Sequence, residues 1–289
     1  MRGMLETVEQ SQAGTSGEAA AFELLPGDAA RGCILVCDHA TNRLPPSYGA
    51  LGLEAADLER HIAYDIGVAG VTRELSRLMA APAVLAQFSR LLIDPNRGFD
   101  DPTLVMQVSD GSVIQGNAGV GAHEIEKRKS LYYRPYHAAI DAAIDQAIAA
   151  SRPPIIVSIH SFTDNWRGRQ RPWHVGVLWD RDPRLPVPLL EALGHEKDLV
   201  VGDNVPYSGE LKGDCLYQHG TRRGLAHALI ELRQDLIGDA AGQLEWAERL
   251  ARILTGLLSH PNLAGELHQI RHHGSNTDPF ETGGDAGSS

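Results

Sequence analysis

The sequence predicts one α/β domain of three layers, a mixed and mostly parallel sheet flanked by helices. Three observations carry this. Short continuous apolar runs recur, clearest in Cys33-Ile34-Leu35-Val36-Cys37 and Ile155-Ile156-Val157-Ser158-Ile159, and strands buried on both faces read this way. The runs alternate with helical patterns, an order that builds a sheet covered by helices on both sides. The chain has 289 residues, 43% of them hydrophobic, which is enough to bury a sizeable core.

Residues 1–20 are small and polar and read as a disordered tail. Strands are expected at 33–37, 83–88, 155–159, 174–179, 199–202 and 227–232, and helices at 55–63, 66–80, 123–150, 186–195 and 240–257. Within 123–150, Ala138 to Ile148 places apolar residues at helical spacing on an alanine-rich background, and Pro135 starts or kinks that helix. Asp65, just before Ile66-Gly67-Val68, reads as an N-cap. Arg97 to Gly121 is rich in Gly and Asp and reads as a long loop, a kind that often carries function. Residues 273–289 resemble the first tail, which leaves 21–272 as the domain.

The formal net charge is -11 with no lysine/arginine block, so a nucleic-acid partner is not expected. No apolar stretch in Met1 to Ala20 suits a leader or a membrane span, and a cytoplasmic protein is expected. Cys33, Cys37 and Cys215 form no disulfide framework; the first two read as core thiols.

Two apolar runs end on histidines, in Asp38-His39-Ala40-Thr41-Asn42 and Ser158-Ile159-His160-Ser161-Phe162. Ligands of open α/β sheets collect at such strand ends. A catalytic zinc takes about three protein ligands and keeps one open position. His39 and His160 supply two; Asn42 through its carbonyl oxygen, or Asp38 or Asp65, supplies the third. The plainer alternative is that Asp38 and Asn42 cap a turn. Arg90, Asn96 and Arg97 offer a fork for a substrate carboxylate, or ion pairs with Asp94, Asp100 or Asp101. Glu231 interrupts Ala228-Leu229-Ile230-Glu231-Leu232. A carboxylate there is costly unless paired or functional, so it reads as a general base or as the partner of Arg233. Burial raises its pKa, which suits a proton shuttle. Tyr207 reads as a substrate contact or a turn residue, and His219 as lining the same crevice. Gly116 to Gly121 lacks the Lys-Ser/Thr of a phosphate loop and reads as flexible. Trp166, Trp173 and Trp179 read as packing groups.

Taken in order, 37–45, 61–67, 89–97, 158–162, 202–209 and 229–237 resemble the N-formylglutamate amidohydrolase family, which looks distantly related to zinc carboxypeptidases and to the aspartoacylase/succinylglutamate desuccinylase group. The resemblance implies a zinc-carboxypeptidase-like fold and zinc as cofactor. The relatives' His-x-x-Glu metal motif falls on His39 and Asn42, and their later metal histidine on His160. The Asp-x-Asn-Arg substrate motif falls on Asp94, Asn96 and Arg97. Arg90 matches an arginine that polarises the scissile carbonyl, and Glu231 the catalytic glutamate. Asn42 departs from the pattern, because a neutral amide is a poorer zinc ligand than a carboxylate. The implied reaction removes an N-formyl or short N-acyl group from an acidic amino acid such as N-formyl-L-glutamate, with a small-molecule carboxylate as the partner. The family name suggests histidine degradation. The alternatives are a hydrolase of another carboxylate substrate, or a metal- or ligand-binding homologue without catalysis.

Overall fold

The computed structural model describes residues 20–150 and 152–279. The strands are β1 (Phe22–Leu25), β2 (Cys33–Cys37), β3 (Ala83–Ala86), β4 (Val108–Ser109), β5 (Ser112–Val113), β6 (Ile155–Phe162), β7 (Asn165–Trp166), β8 (Arg169–Gln170), β9 (Val175–Leu178), β10 (Val201–Asp203) and β11 (His227–Arg233). The helices are α1 (Ala55–Leu58), α2 (Val68–Met79), α3 (Ala122–Arg128), α4 (Arg134–Ala149), α5 (Pro186–Gly194), α6 (Cys215–His219), α7 (Ala240–Ser259) and α8 (Ala264–Leu267).

Seven strands form one mixed sheet in the order β1-β3-β2-β6-β11-β9-β10. β3, β2, β6 and β11 run parallel; β1 pairs antiparallel with β3, and β9 antiparallel with β11. Side chains alternate along each strand, and that alternation divides the core. Cys33, Leu35, Cys37, Ile155, Val157, Ile159, Ala228, Ile230 and Leu232 pack under α2, α5 and α7. Ile34, Val36, Ile156 and Leu229 face the other way, toward α4 and α6. The three-layer expectation holds.

The chain passes from β2 to β3 on one side, then returns to β6 and continues to the other side. The carboxyl ends of β2 and β6 therefore flank a topological switch point, the crevice where open α/β sheets bind ligands.

Several local expectations change. Strand β6 runs on to Phe162, so His160 lies within it. The helix expected at 55–63 is only Ala55–Leu58. Pro135 sits in the first turn of α4, the place a helix-starting proline takes. A π-turn over Lys129–Tyr133 joins α3 to α4 just before it, and the wider turn absorbs a residue that lacks an N–H and crowds the preceding carbonyl. The loop after Arg97 contains the β4–β5 hairpin. The expected tail at 1–20 falls, but for Ala20, outside the described residues, as do 280–289. Contacts with the domain continue past the expected boundary at 273: Ser275 is buried, and Asp278 accepts a 2.6 Å bond from the Tyr217 hydroxyl. No helix among the described residues is long and apolar enough to cross a membrane.

Candidate active site

Strand β2 ends at Cys37, so the chain is released at Asp38 and His39 at the switch point. The neighbouring loops are tied there by short bonds. The Asp65 amide donates to the His39 carbonyl at 3.0 Å, the Ser89 hydroxyl to the Ala63 carbonyl at 2.7 Å, and the Ser89 amide to the Arg43 carbonyl at 2.7 Å. From β6, His160 projects with Ser158 toward the α4 side, two residues apart as the pleat requires. From β11, Glu231 stands opposite His160 in parallel register.

His39, Asp65 and His160 converge. Asp65 Oδ2 lies 3.3 Å from His39 Nδ1 and 2.9 Å from His160 Nδ1. The other ring nitrogens are anchored by further carboxylates, His39 Nε2 by Asp94 at 2.7 Å and His160 Nε2 by Asp38 at 2.9 Å. Asp38 is itself held by the Tyr136 and Ser158 hydroxyls. All five side chains are buried. With Nε2–H of each ring directed at a carboxylate, both Nδ1 lone pairs point at Asp65, an arrangement common to metal-binding histidines.

Two tests of fit agree. Donors each about 2.0–2.2 Å from a tetrahedral zinc lie roughly 3.4 Å apart, close to the spacings here. The charges also balance: three buried carboxylates (Asp38, Asp65, Asp94) face the one guanidinium of Arg90, whose Nη2 donates to Asp94 at 2.8 Å and whose Nη1 lies 3.7 Å from Asp65. With both imidazoles neutral, as metal ligands are, two negative charges remain, and a divalent cation offsets them. Burial pushes all three carboxyls up, but the cationic side chains beside them win and hold each below the usual range: His160 and His39 for Asp38 and Asp65, and Arg90 and His39 for Asp94. Burial pulls His160 down, and its bonds to Asp38 and Asp65 raise it well above the ordinary value. The site thus demands positive charge whatever supplies it.

The cluster opens into a cavity of about 370 Å³ lined by His39, Asp65, His160, Arg90, Asn96, Arg97, Tyr207 and Glu231, among others. Glu231 Oε2 is buried and has no hydrogen-bond partner. Burial pushes this carboxyl up to about 7, with His160 opposing and Asp65 reinforcing. Arg233, offered by the sequence as its partner, pairs with Asp235 instead at 2.7 Å, and its Nη1 faces the Arg171, Pro172 and Trp173 carbonyls. Arg90 Nε is likewise buried and unpartnered.

Asn96 and Arg97 line the cavity but are partly engaged. Asn96 Oδ1 accepts from the Cys215 amide at 3.1 Å, and Arg97 donates to the Asn96 carbonyl and to Thr103 Oγ1. Tyr207 sits at the mouth, half-exposed, its hydroxyl 3.1 Å from Arg171 Nη1.

Three expectations need correction. Asn42 does not join the cluster: its amide donates to the Leu58 carbonyl at 2.9 Å and to Glu59 at 3.2 Å, which turns it toward α1. Asp65 fills the third place and caps nothing, since the N-cap of α2 is Gly67. At φ +85°, with an added Cβ only 2.2 Å from the Ile237 carbonyl, that position admits glycine alone. Asp65 was among the third donors the sequence offered, and the N-cap reading of the same residue is the one that falls. His219 does not line this cavity; it points toward His137. Asp94, placed with the substrate motif, orients His39. Arg171, beside the Tyr207 hydroxyl, is a cation near the mouth that no sequence motif marks.

A family model described as N-formylglutamate amidohydrolase matches residues 31–238. The crystal structure of a gene product from Agrobacterium tumefaciens is similar at 33% identity, with a TM-score of 0.79, over 88% of this chain and 99% of that one. The structure of N-formylglutamate amidohydrolase from Ralstonia eutropha is similar in fold at 22% identity, with a TM-score of 0.66, over 86% of this chain and all of the other. The search of curated proteins gave no match.

Proposed function

Since the chain belongs to the N-formylglutamate amidohydrolase family, a family of hydrolases acting on amide bonds, we propose that it is a zinc-dependent amidohydrolase. Its substrate on this reading is an N-formyl or short N-acyl acidic amino acid such as N-formyl-L-glutamate. One observation carries the reading: an unpartnered buried carboxylate oxygen, on Glu231, shares a cavity with the His39, Asp65 and His160 donors.

Bound by those three donors, a divalent metal would acidify a water and polarise the acyl carbonyl. Glu231 takes a proton from the attacking water and delivers it to the amide nitrogen as the C–N bond breaks. One water is consumed, releasing a carboxylate (formate, for a formyl group) and a free amine. A pKa near neutrality suits both halves of that transfer. Arg90 Nε, with no partner of its own, donates to the oxygen that gains negative charge, and charge fixed in advance of reaction is usually the largest catalytic contribution. Asp94 and Asp65 hold its guanidinium in place. Arg97 and Asn96, with Arg171 and Tyr207 at the mouth, receive the carboxylates of the amino acid.

The test is hydrolysis of N-formyl-L-glutamate by the protein as isolated, after chelation and after zinc is restored. Activity that vanishes with chelator and returns with zinc is expected. Turnover unchanged in fully chelated protein would overturn the metal-dependent reading, and metal-loaded protein inert on this substrate would overturn the substrate assignment.

A further inference from the structure

Behind the Asp94–Arg97 loop lies a second buried cluster. His137 on α4 and His219 on α6 stack at a centroid distance of 5.0 Å, with His137 Nδ1 2.8 Å from His219 Nε2. Their outer nitrogens are already committed. His137 Nε2 is 3.1 Å from the Pro95 carbonyl, and His219 Nδ1 is 3.0 Å from Asp141 Oδ1. A carbonyl or carboxylate oxygen accepts and does not donate. Each outer nitrogen therefore carries the hydrogen, and two neutral rings would set lone pair against lone pair at 2.8 Å. That geometry requires a positive species between or upon the inner nitrogens.

Cys215 supplies a third donor. It precedes His219 by four residues, so both side chains lie on one helical face. Its Sγ and the two inner nitrogens fall within 4.8 Å of one another, and all three residues are buried. Cys33 and Cys37 belong to neither histidine cluster.

We propose that His137, Cys215 and His219 form a second metal site, separate from the one in the cavity, that takes a thiophilic cation such as zinc. Two imidazoles and a thiolate suit zinc or copper(I) and not magnesium or calcium. The outer nitrogens, held by the Pro95 carbonyl and Asp141, repeat the anchoring seen for His39 and His160. On binding, the thiol gives its proton to solvent and the sulfur lone pair goes to the ion. Full burial, away from the cavity that admits substrate, points to a structural role for this site. It would brace the substrate-side loop from behind, since His137 holds the Pro95 carbonyl and the Cys215 amide holds Asn96.

The test is titration of metal-stripped, full-length protein with cobalt(II). The expected result is a thiolate-to-cobalt charge-transfer band in the near ultraviolet whose final intensity corresponds to one thiolate-bound cobalt per chain. Cys215→Ser should abolish the band and remove one bound equivalent, while Cys33→Ser keeps both. The first site has no sulfur, so the band reports the second site alone, whatever the first does. Absence of a thiolate band in the unsubstituted protein would show that a shared proton alone joins the two rings and would overturn the proposal, as would a band that persists in Cys215→Ser. If Cys215→Ser fails to fold, His219→Gln in the same titration decides by the same loss.

Discussion

Glu231→Gln separates chemistry from stability at a single atom. Removing a general base typically costs about 10²–10⁴ in rate, or roughly 2.7–5.5 kcal/mol of transition-state stabilisation. The fold bears the opposite strain. This carboxyl is buried with an unpartnered oxygen, and burial lifts it from its ordinary 4.5 to about 7. At about 1.4 kcal/mol per pKa unit, ionising it in the folded, metal-free protein costs up to about 3 kcal/mol. Because the folded pKa lies above the unfolded one, the folded state holds the extra proton between pH 4.5 and 7, and stability falls as pH rises through that window. Glutamine is neutral throughout. Chelated Glu231→Gln should therefore resist urea better than the parent at pH 8, and the gain should shrink below about 1 kcal/mol at pH 5. The zinc-loaded variant should still bind metal while losing at least about a hundredfold in kcat. A variant less stable than the parent at pH 8, or one turning over within threefold of it, would refute the reasoning.

Asp65→Asn should weaken zinc by more than about a hundredfold in chelator competition, since even the outer carboxylates of such sites contribute about 10–100-fold. Asn42→Ala should leave zinc affinity unchanged and cost only about 1 kcal/mol of stability through its bond to the Leu58 carbonyl. Asp94→Asn should lower zinc affinity about 10–100-fold in the same assay, because it loosens His39 without removing a ligand. Gly67→Ala should cost more than about 1 kcal/mol in urea unfolding, as its Cβ would strike the Ile237 carbonyl.

What the sequence made legible and what it hid divide along physical lines. The apolar runs marked β2, β6 and β11 because a strand covered on both faces must be apolar throughout, and the same rule made Glu231 conspicuous within one. His39 and His160 were legible because they follow those runs directly. The short edge strand β1 was not, since four residues of mixed burial carry little periodic signal. The third donor was misassigned for a sharper reason. Asn42 lies three residues after His39 and satisfied a local spacing, yet a side chain's direction depends on what its polar atoms meet, and here a helix-end carbonyl claims them. Asp65 is 26 residues away, and its place follows from the loop bonds at Ala63 and His39, which no local pattern encodes.

The same contrast explains why the cavity is built as it is. His160 and Glu231 sit within central strands, where neighbours on both sides fix the backbone and register sets their separation. The groups that must carry compensating charge, Asp65, Arg90 and Asp94, come from loops tied to those strand ends. Neither set suffices alone: the strand residues would leave an ionisable base in an apolar wall, and the loop carboxylates would repel one another. Joined, with both imidazoles neutral, they leave two negative charges unanswered, and burial makes that deficit expensive. A divalent ion is then both the missing reagent and the missing counter-charge. Zinc should accordingly raise the unfolding temperature of the whole domain as well as its activity, by RT ln(1 + [Zn]/Kd) in free energy. Asp65→Asn, which cancels part of the charge deficit, should reduce that dependence even as it weakens catalysis.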